Sequence, residues 1–202
     1  MNIPKSHLTL NTAVENVQLK ERGSKFISYA FPVKTEAAAN DVLAHLWRQH
    51  PKATHICYAW QLGENKDRYR ANDDGEPANS AGIPIYGQLQ SYNLTFVLLA
   101  VVRYYGGLKL GVGGLIKAYR EAADLALAQA KIVEVLQMST LILEFEYDQL
   151  SPVMSLISEM NLNISSQNMQ LSCEIKIEAP PDQAIEFKNR MAAIQNVQLR
   201  II

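Results

Sequence analysis

The stretch VVRYYGGLKLGVGGLIKAYR, residues 101–120, constrains this chain more than any other. The apolar run over 94–102 just before and into it reads as a buried strand. A turn follows with Gly106, Gly107, Gly111, Gly113 and Gly114, which are five of the chain's ten glycines. Glycine at that density implies backbone at positive φ, or close approach to another group. A helix is expected to begin near Leu115. A glycine turn that feeds a helix leaves unpaired N–H groups at its amino end, a ready site for an anion. Arg103, Lys109, Lys117 and Arg120 place positive charge around that turn. The expected anion-binding set is therefore Arg103, Tyr104, Lys109, Lys117 and the five glycines. The plainer reading is a turn that only reverses the strand onto the helix, and the two are compatible.

Two familiar phosphate loops are excluded. Gly106 and Gly111 have the Walker A spacing, but Val112 and Gly113 stand where Lys and Ser or Thr are required. Gly111 and Gly113 begin a dinucleotide fingerprint, but Ile116 occupies the place of its third glycine. Neither ATP hydrolysis nor NAD binding is supported, and no cofactor is expected.

With 202 residues the chain suffices for one large domain or two small ones. Its formal net charge of −1 hides a split. Residues 1–133 carry 15 Lys and Arg against 11 Asp and Glu, whereas residues 134–202 carry 4 against 9. The basic half is the candidate for touching RNA or another phosphate-bearing partner. The most apolar run, 96–102, is too short to cross a bilayer, and the opening MNIPKSHLTL lacks the apolar segment of a signal peptide. Cys57 and Cys173 lack metal-site spacing and read as buried thiols in a reducing compartment. A cytoplasmic protein without membrane contact is expected.

Strands are expected over 11–20 and 24–33, joined by a turn at Arg22-Gly23. Thr35 caps a helix over 36–49, with Ala39, Val42, Leu43, Leu46 and Trp47 at helical spacing. Residues 54–61 alternate as a strand, 73–82 form a loop and 85–91 a short helix. The long helix is expected over 115–130, with Leu115, Tyr119, Ala122 and Ala126 in one stripe. Trp47 and Trp60 are assigned to the core. Beyond residue 136 the pattern changes to strand 139–147, helix 150–159, strands 163–167 and 170–178, helix 181–193 and strand 197–202. That β-α-β-β-α-β order is the ferredoxin-like split βαβ. The fold class is thus α+β in two domains, 1–133 and 137–202.

DDGEP, residues 73–77, places Asp73, Asp74 and Glu76 within one short loop. Carboxylates that close need a cation or hydrogen-bond donors to compensate them. A hard-cation site is one reading, though the spacing is not that of an EF-hand. A general acid/base pair acting with His55 is another. The favoured reading is an Asp-Gly turn whose carboxylates cap nearby N–H groups and pair with arginine. His55 and Cys57 fall on one strand face, but a Cys–His nucleophile also needs an orienting group and an oxyanion hole. A packed histidine is favoured there, and no catalytic residue is assigned. Arg103-Tyr104-Tyr105 combines arginine with aromatics beside the glycine turn, the chemistry of phosphate pairing and base stacking.

SKFI (24–27), HICYAW (55–60), DDGEPANSAGIPI (73–85) and VVRYYGGLKLGVGGLIKAY (101–119) occur in the order found in the IMPACT family. The chain resembles its bacterial, YigZ-type branch over nearly its full length. It departs at Ala78-Asn79-Ser80, where the family more often has Ser-Gly-Thr; Asn79 tolerates left-handed backbone. The resemblance implies an N-terminal α/β domain like domain IV of elongation factor G and a ferredoxin-like C-terminal domain like its domain V. It also implies a link to translation, since eukaryotic relatives restrain a starvation-responsive kinase of a translation initiation factor by competing for its ribosome-associated activator. It supplies no catalytic residues. The expected function is a non-catalytic regulator that binds RNA, the ribosome or a ribosome-associated partner. The alternatives are a hydrolase or transferase at the DDGEP loop, acting on a phosphorylated or peptide-like substrate, and a protein-interaction regulator without nucleic-acid contact.

Overall fold

The computed structural model describes residues 6–170 and 172–202. The chain separates into two compact units at Val135/Leu136. In the first, strands β1 (Ser6–Leu10), β2 (Val14–Glu21) and β3 (Ser24–Pro32) precede helix α1 (Glu36–Gln49). Then come β4 (His55–Leu62), β5 (Arg68–Asn72), α2 (Gly82–Ser91), β6 (Val97–Tyr104), α3 (Gly111–Ala128) and β7 (Ile132–Leu136).

Five strands form one sheet in the order β2-β3-β6-β4-β5, with each neighbouring pair antiparallel. β6 is its centre. Residues 97–103 are buried on both faces, which is why the strand reads as a continuous apolar run rather than an alternation. Val97, Leu99 and Val101 join the core beneath α2 and α3. Leu98, Ala100 and Val102 join the core beneath α1. On α3, Ala118, Ala122 and Ala126 are buried, so the helix lies close on the sheet. β1 and β7 pair separately as a two-stranded sheet.

The β2–β3 turn is the one that Arg22-Gly23 calls for, since both residues have positive φ, 44° and 79°. Thr35 caps α1 by accepting the Ala38 N–H at 3.1 Å. Trp47 is not in the core: it is 41% exposed. Ala39, Leu43 and Leu46 are the buried stripe of α1, and Trp47 lies at the stripe's rim. Trp60, on β4, is buried. The long helix starts at Gly111 rather than near Leu115, so Gly111, Gly113 and Gly114 form its first turn. Gly111 has φ of 70°, in the left-handed region that favours glycine. β1, β5 and β7 are strands that the periodicity does not predict.

The second unit holds β8 (Ser139–Glu146), α4 (Leu150–Glu159), β9 (Asn163–Met169), β10 (Ser172–Ala179), α5 (Pro181–Met191) and β11 (Val197–Ile201). Its sheet order, β11-β8-β10-β9, is ferredoxin-like. Leu141, Leu143 and Phe145 on β8 face Val153, Ile157 and Phe187 of the two helices. Tyr147, the last residue of the strand expected over 139–147, lies past the strand's end and is exposed. Leu171, within the strand expected at 170–178, is outside the described residues.

Candidate functional site

Alternation along β6 decides where RYY points. Arg103 continues the face of Leu99 and Val101, toward α2 and α3, while Tyr104 falls on the α1 face. There the Tyr104 hydroxyl bonds His50 Nδ1 at 2.9 Å. Tyr104 and Arg103 therefore point to opposite faces of the sheet.

Arg103 is 5% exposed. Its Nη1 donates to Glu76 Oε1 at 2.5 Å and its Nη2 to Ser24 Oγ at 3.3 Å. The guanidinium carbon stands 5.5 Å from the ring centroids of both Phe26 and Tyr105. Such a residue is a structural cation, and its charge is compensated within the fold. The same Glu76 oxygen accepts the Tyr119 hydroxyl at 2.7 Å. The Cys57 sulfur lies 3.3 Å from the Tyr119 hydroxyl and 3.0 Å from the Asp73 carbonyl, which share its one S–H. Burial pushes both the Cys57 thiol and the Tyr119 phenol up, so both stay protonated and neutral.

The remaining carboxylates are also engaged internally. Asp73 Oδ1 accepts the N–H groups of Ala81 and Gly82, capping α2, and Oδ2 accepts that of Asn79. Asp74 Oδ2 accepts the Ile56 N–H at 2.7 Å. His55 Nδ1 lies 2.7 Å from the Asp74 carbonyl. A carbonyl only accepts, so Nδ1 carries a proton and donates it to Asp74. Asn79 has φ of 61°, the left-handed backbone that its amide side chain tolerates. Among the described residues no group of three or more His, Cys, Asp or Glu side chains is placed to hold a metal ion.

Gly106 is pressed on the β2–β3 turn. A Cβ there would come within 2.0 Å of the Gly23 backbone. Ser24 Oγ accepts the Gly106 N–H at 3.2 Å. Thus the SKFI and RYYGG segments are one contact. Gly107 has φ of 88°, and its carbonyl accepts the Tyr105 hydroxyl at 2.8 Å.

Beside this network is a cleft of about 460 Å³, bordered by Thr54, His55, Tyr105, Lys109 and the Gly111–Val112 start of α3. The N-cap Leu110 makes no side-chain cap, and the first turn holds no acidic residue. An 18-residue helix thus presents its amino end uncapped by side chains. Lys117 lies elsewhere, in a groove with Glu21, Arg22, Gly114 and Glu121. Of the expected anion-binding set, Arg103, Lys109 and Gly111 border the cleft, and Arg103 is already paired with Glu76. Tyr105, 45% exposed, is a cleft residue that the set omits although RYY contains it. Ser24 and Tyr119 are network members whose partners lie too far along the chain for spacing to reveal.

The site and fold define a two-domain α+β protein whose N-terminal half is organised by a buried Arg–Glu–Tyr–Cys network. A family model of the Impact N-terminal domain matches residues 22–127, the span that contains every member of that network. The chain is 31% identical to the IMPACT family member YvyE of Bacillus subtilis (strain 168), over 95% of this chain and 88% of that one. It is equally 31% identical to the IMPACT family member YigZ of Escherichia coli (strain K12), over 95% and 93%. A crystal structure described as that of a hypothetical protein superposes with a TM-score of 0.73 at 30% identity, covering 98% of each chain. The chain belongs to the IMPACT family.

Proposed function

We propose that this protein is a cytoplasmic, translation-linked regulator that binds RNA, free or on the ribosome, through the cleft at the amino end of α3. The observation that carries this reading is the uncapped start of α3 opening beside Lys109 and the exposed Tyr105 ring. Helix amides and a lysine suit a phosphate; an exposed aromatic suits an unstacked base. The link to translation rests on the family resemblance. The hydrolase or transferase reading loses its acid/base groups, because Asp73, Asp74 and Glu76 are each held by internal donors. In this reading residues 1–133 act as the binding domain, and the acidic domain 137–202 orients the protein or recruits a partner.

The protein-only reading has one observation in its favour: Leu108 and Val112, beside the cleft, are exposed apolar residues. Co-sedimentation with ribosomes at about 50 and 200 mM salt separates the two, because phosphate contacts weaken steeply over that range. Salt-sensitive binding that Lys109→Glu reduces supports the RNA reading. Salt-insensitive binding that Lys109→Glu leaves intact replaces it with the protein-only one.

A further inference from the structure

The N-terminal unit has a second cavity, of about 610 Å³, away from the α3 cleft. That volume is within the range of small-molecule sites. Leu10, Pro32, Val33, Phe96 and Val135 give it apolar walls, and Lys34 and Glu64 border it. His7 and Thr9, two residues apart on β1, also line it. His7 Nδ1 and Thr9 Oγ1 are both buried, and neither has a hydrogen-bond partner. Buried polar atoms without partners are uncommon in folded proteins, because each forfeits its solvation for nothing in return.

Phe96 adds a second anomaly. Its φ is 58°, a conformation that a bulky side chain rarely adopts. The backbone on either side is pinned: the Thr95 N–H donates to the Leu8 carbonyl at 3.0 Å, and the Phe96 carbonyl accepts the Val33 N–H at 2.8 Å. The Phe96 ring meets the His7 ring at 4.9 Å, tilted by 56°. Strain of this kind persists where the surrounding structure fixes it, and it gathers at ligand sites.

We propose that this cavity binds a small, neutral heteroaromatic molecule with a hydrogen-bond donor and acceptor on one edge, the chemistry of a nucleobase. A purely apolar guest would leave His7 Nδ1 and Thr9 Oγ1 unsatisfied. An ion would lose its hydration against the apolar walls. A flat ring with a polar edge meets both demands, its face on the His7–Phe96 pair and its edge toward the two orphaned atoms. The site is separate from the α3 cleft and does not depend on that cleft binding RNA.

The test is amide chemical-shift titration of the full-length 15N-labelled protein with adenosine, guanosine, cytidine and uridine, each to millimolar concentration. At least one nucleoside is expected to shift the amides of Thr9, Val33 and Phe96. Thr9→Val should weaken that binding about tenfold, the worth of one hydrogen bond, without lowering Tm, since it removes a hydroxyl that has no partner. Thr9→Ser keeps the hydroxyl and should keep the affinity. Lys109→Glu should leave the titration unchanged. A short single-stranded RNA run in parallel shows whether the base can arrive within a polymer. Shifts at the three amides by RNA alone would assign the base to RNA, and shifts by nucleoside alone to a free metabolite. No shift with any of these ligands, shifts confined to other residues, or a Thr9→Val protein that binds as wild type would overturn the proposal.

Discussion

Arg103 and Glu76 form an ion pair at 2.5 Å with side chains only 6% and 4% exposed. The pair joins the end of the central strand to the DDGEP loop, and Tyr119 of α3 donates to the same Glu76 oxygen. One carboxylate therefore fixes the relative position of sheet, loop and helix, and these three elements border the cleft.

Removing one member of this pair strands the other as a buried charge. Glu76→Gln should destabilise the protein by about 3–5 kcal/mol, and Arg103→Met by a similar amount. The double variant should lose much less than the sum of the two. Urea denaturation of the four proteins in a double-mutant cycle measures the coupling; additive losses would show that the two side chains do not act as a pair.

Asp73 performs the capping that Ala81, at the N-cap of α2, lacks the side chain to do. Asp73→Ala removes an acceptor of three N–H groups and should cost about 2 kcal/mol or more. Asp73→Asn, which keeps one oxygen, should cost less. Thermal unfolding of the two variants checks the order.

Glycines in the same motif should respond in opposite directions. Gly106→Ala drives a Cβ into the Gly23 backbone and should destabilise strongly. Gly113 is helical, and a Cβ there meets nothing within 4 Å. Gly113→Ala should therefore raise stability by about 0.5–1 kcal/mol. Equal effects at the two positions, read from denaturation midpoints, would contradict the geometry.

His50 sets a pH dependence. The Tyr29 hydroxyl donates to Asn16 Oδ1, so His50 Nε2–H donates to the Tyr29 oxygen and Nδ1 accepts from Tyr104. Burial, with Lys25 adding to it, holds the His50 pKa below its ordinary value of 6.5. Below that value the unfolded chain binds more protons than the folded one, so stability rises with pH there. The contribution of His50 is fully present above its unfolded pKa and declines as pH falls from about 6.5 toward its lower folded value. Denaturation at a series of pH values from about 7.5 to 5 should show a decline that His50→Gln reduces; an unchanged slope in the variant would exclude His50 as the source.

Much of the fold is legible in the residues. The apolar run of β6, the Arg22-Gly23 turn, the Thr35 cap and the β-α-β-β-α-β rhythm of the second unit are local signals, and local signals survive in sequence. β5 is not legible in this way. RYRAN reads as polar because β5 is an edge strand whose Arg68, Tyr69 and Arg70 are exposed. The site is legible in composition but not in assignment. The loop and the glycine turn contain the network residues, yet Glu76 is the partner of Arg103 because two segments 27 positions apart meet in the fold. No spacing rule reports which cation pairs with the loop, or that the pair is buried.

The start of α3 and Lys109 are the groups proposed to hold phosphate. The most direct test is fluorescence anisotropy of a labelled single-stranded RNA across a salt series, with wild-type and Lys109→Glu proteins. A linear fall of log K with log salt is expected for the wild type, and a slope shallower by about one unit for the variant. Binding without salt dependence, or an identical slope in the two proteins, would contradict phosphate binding at this cleft.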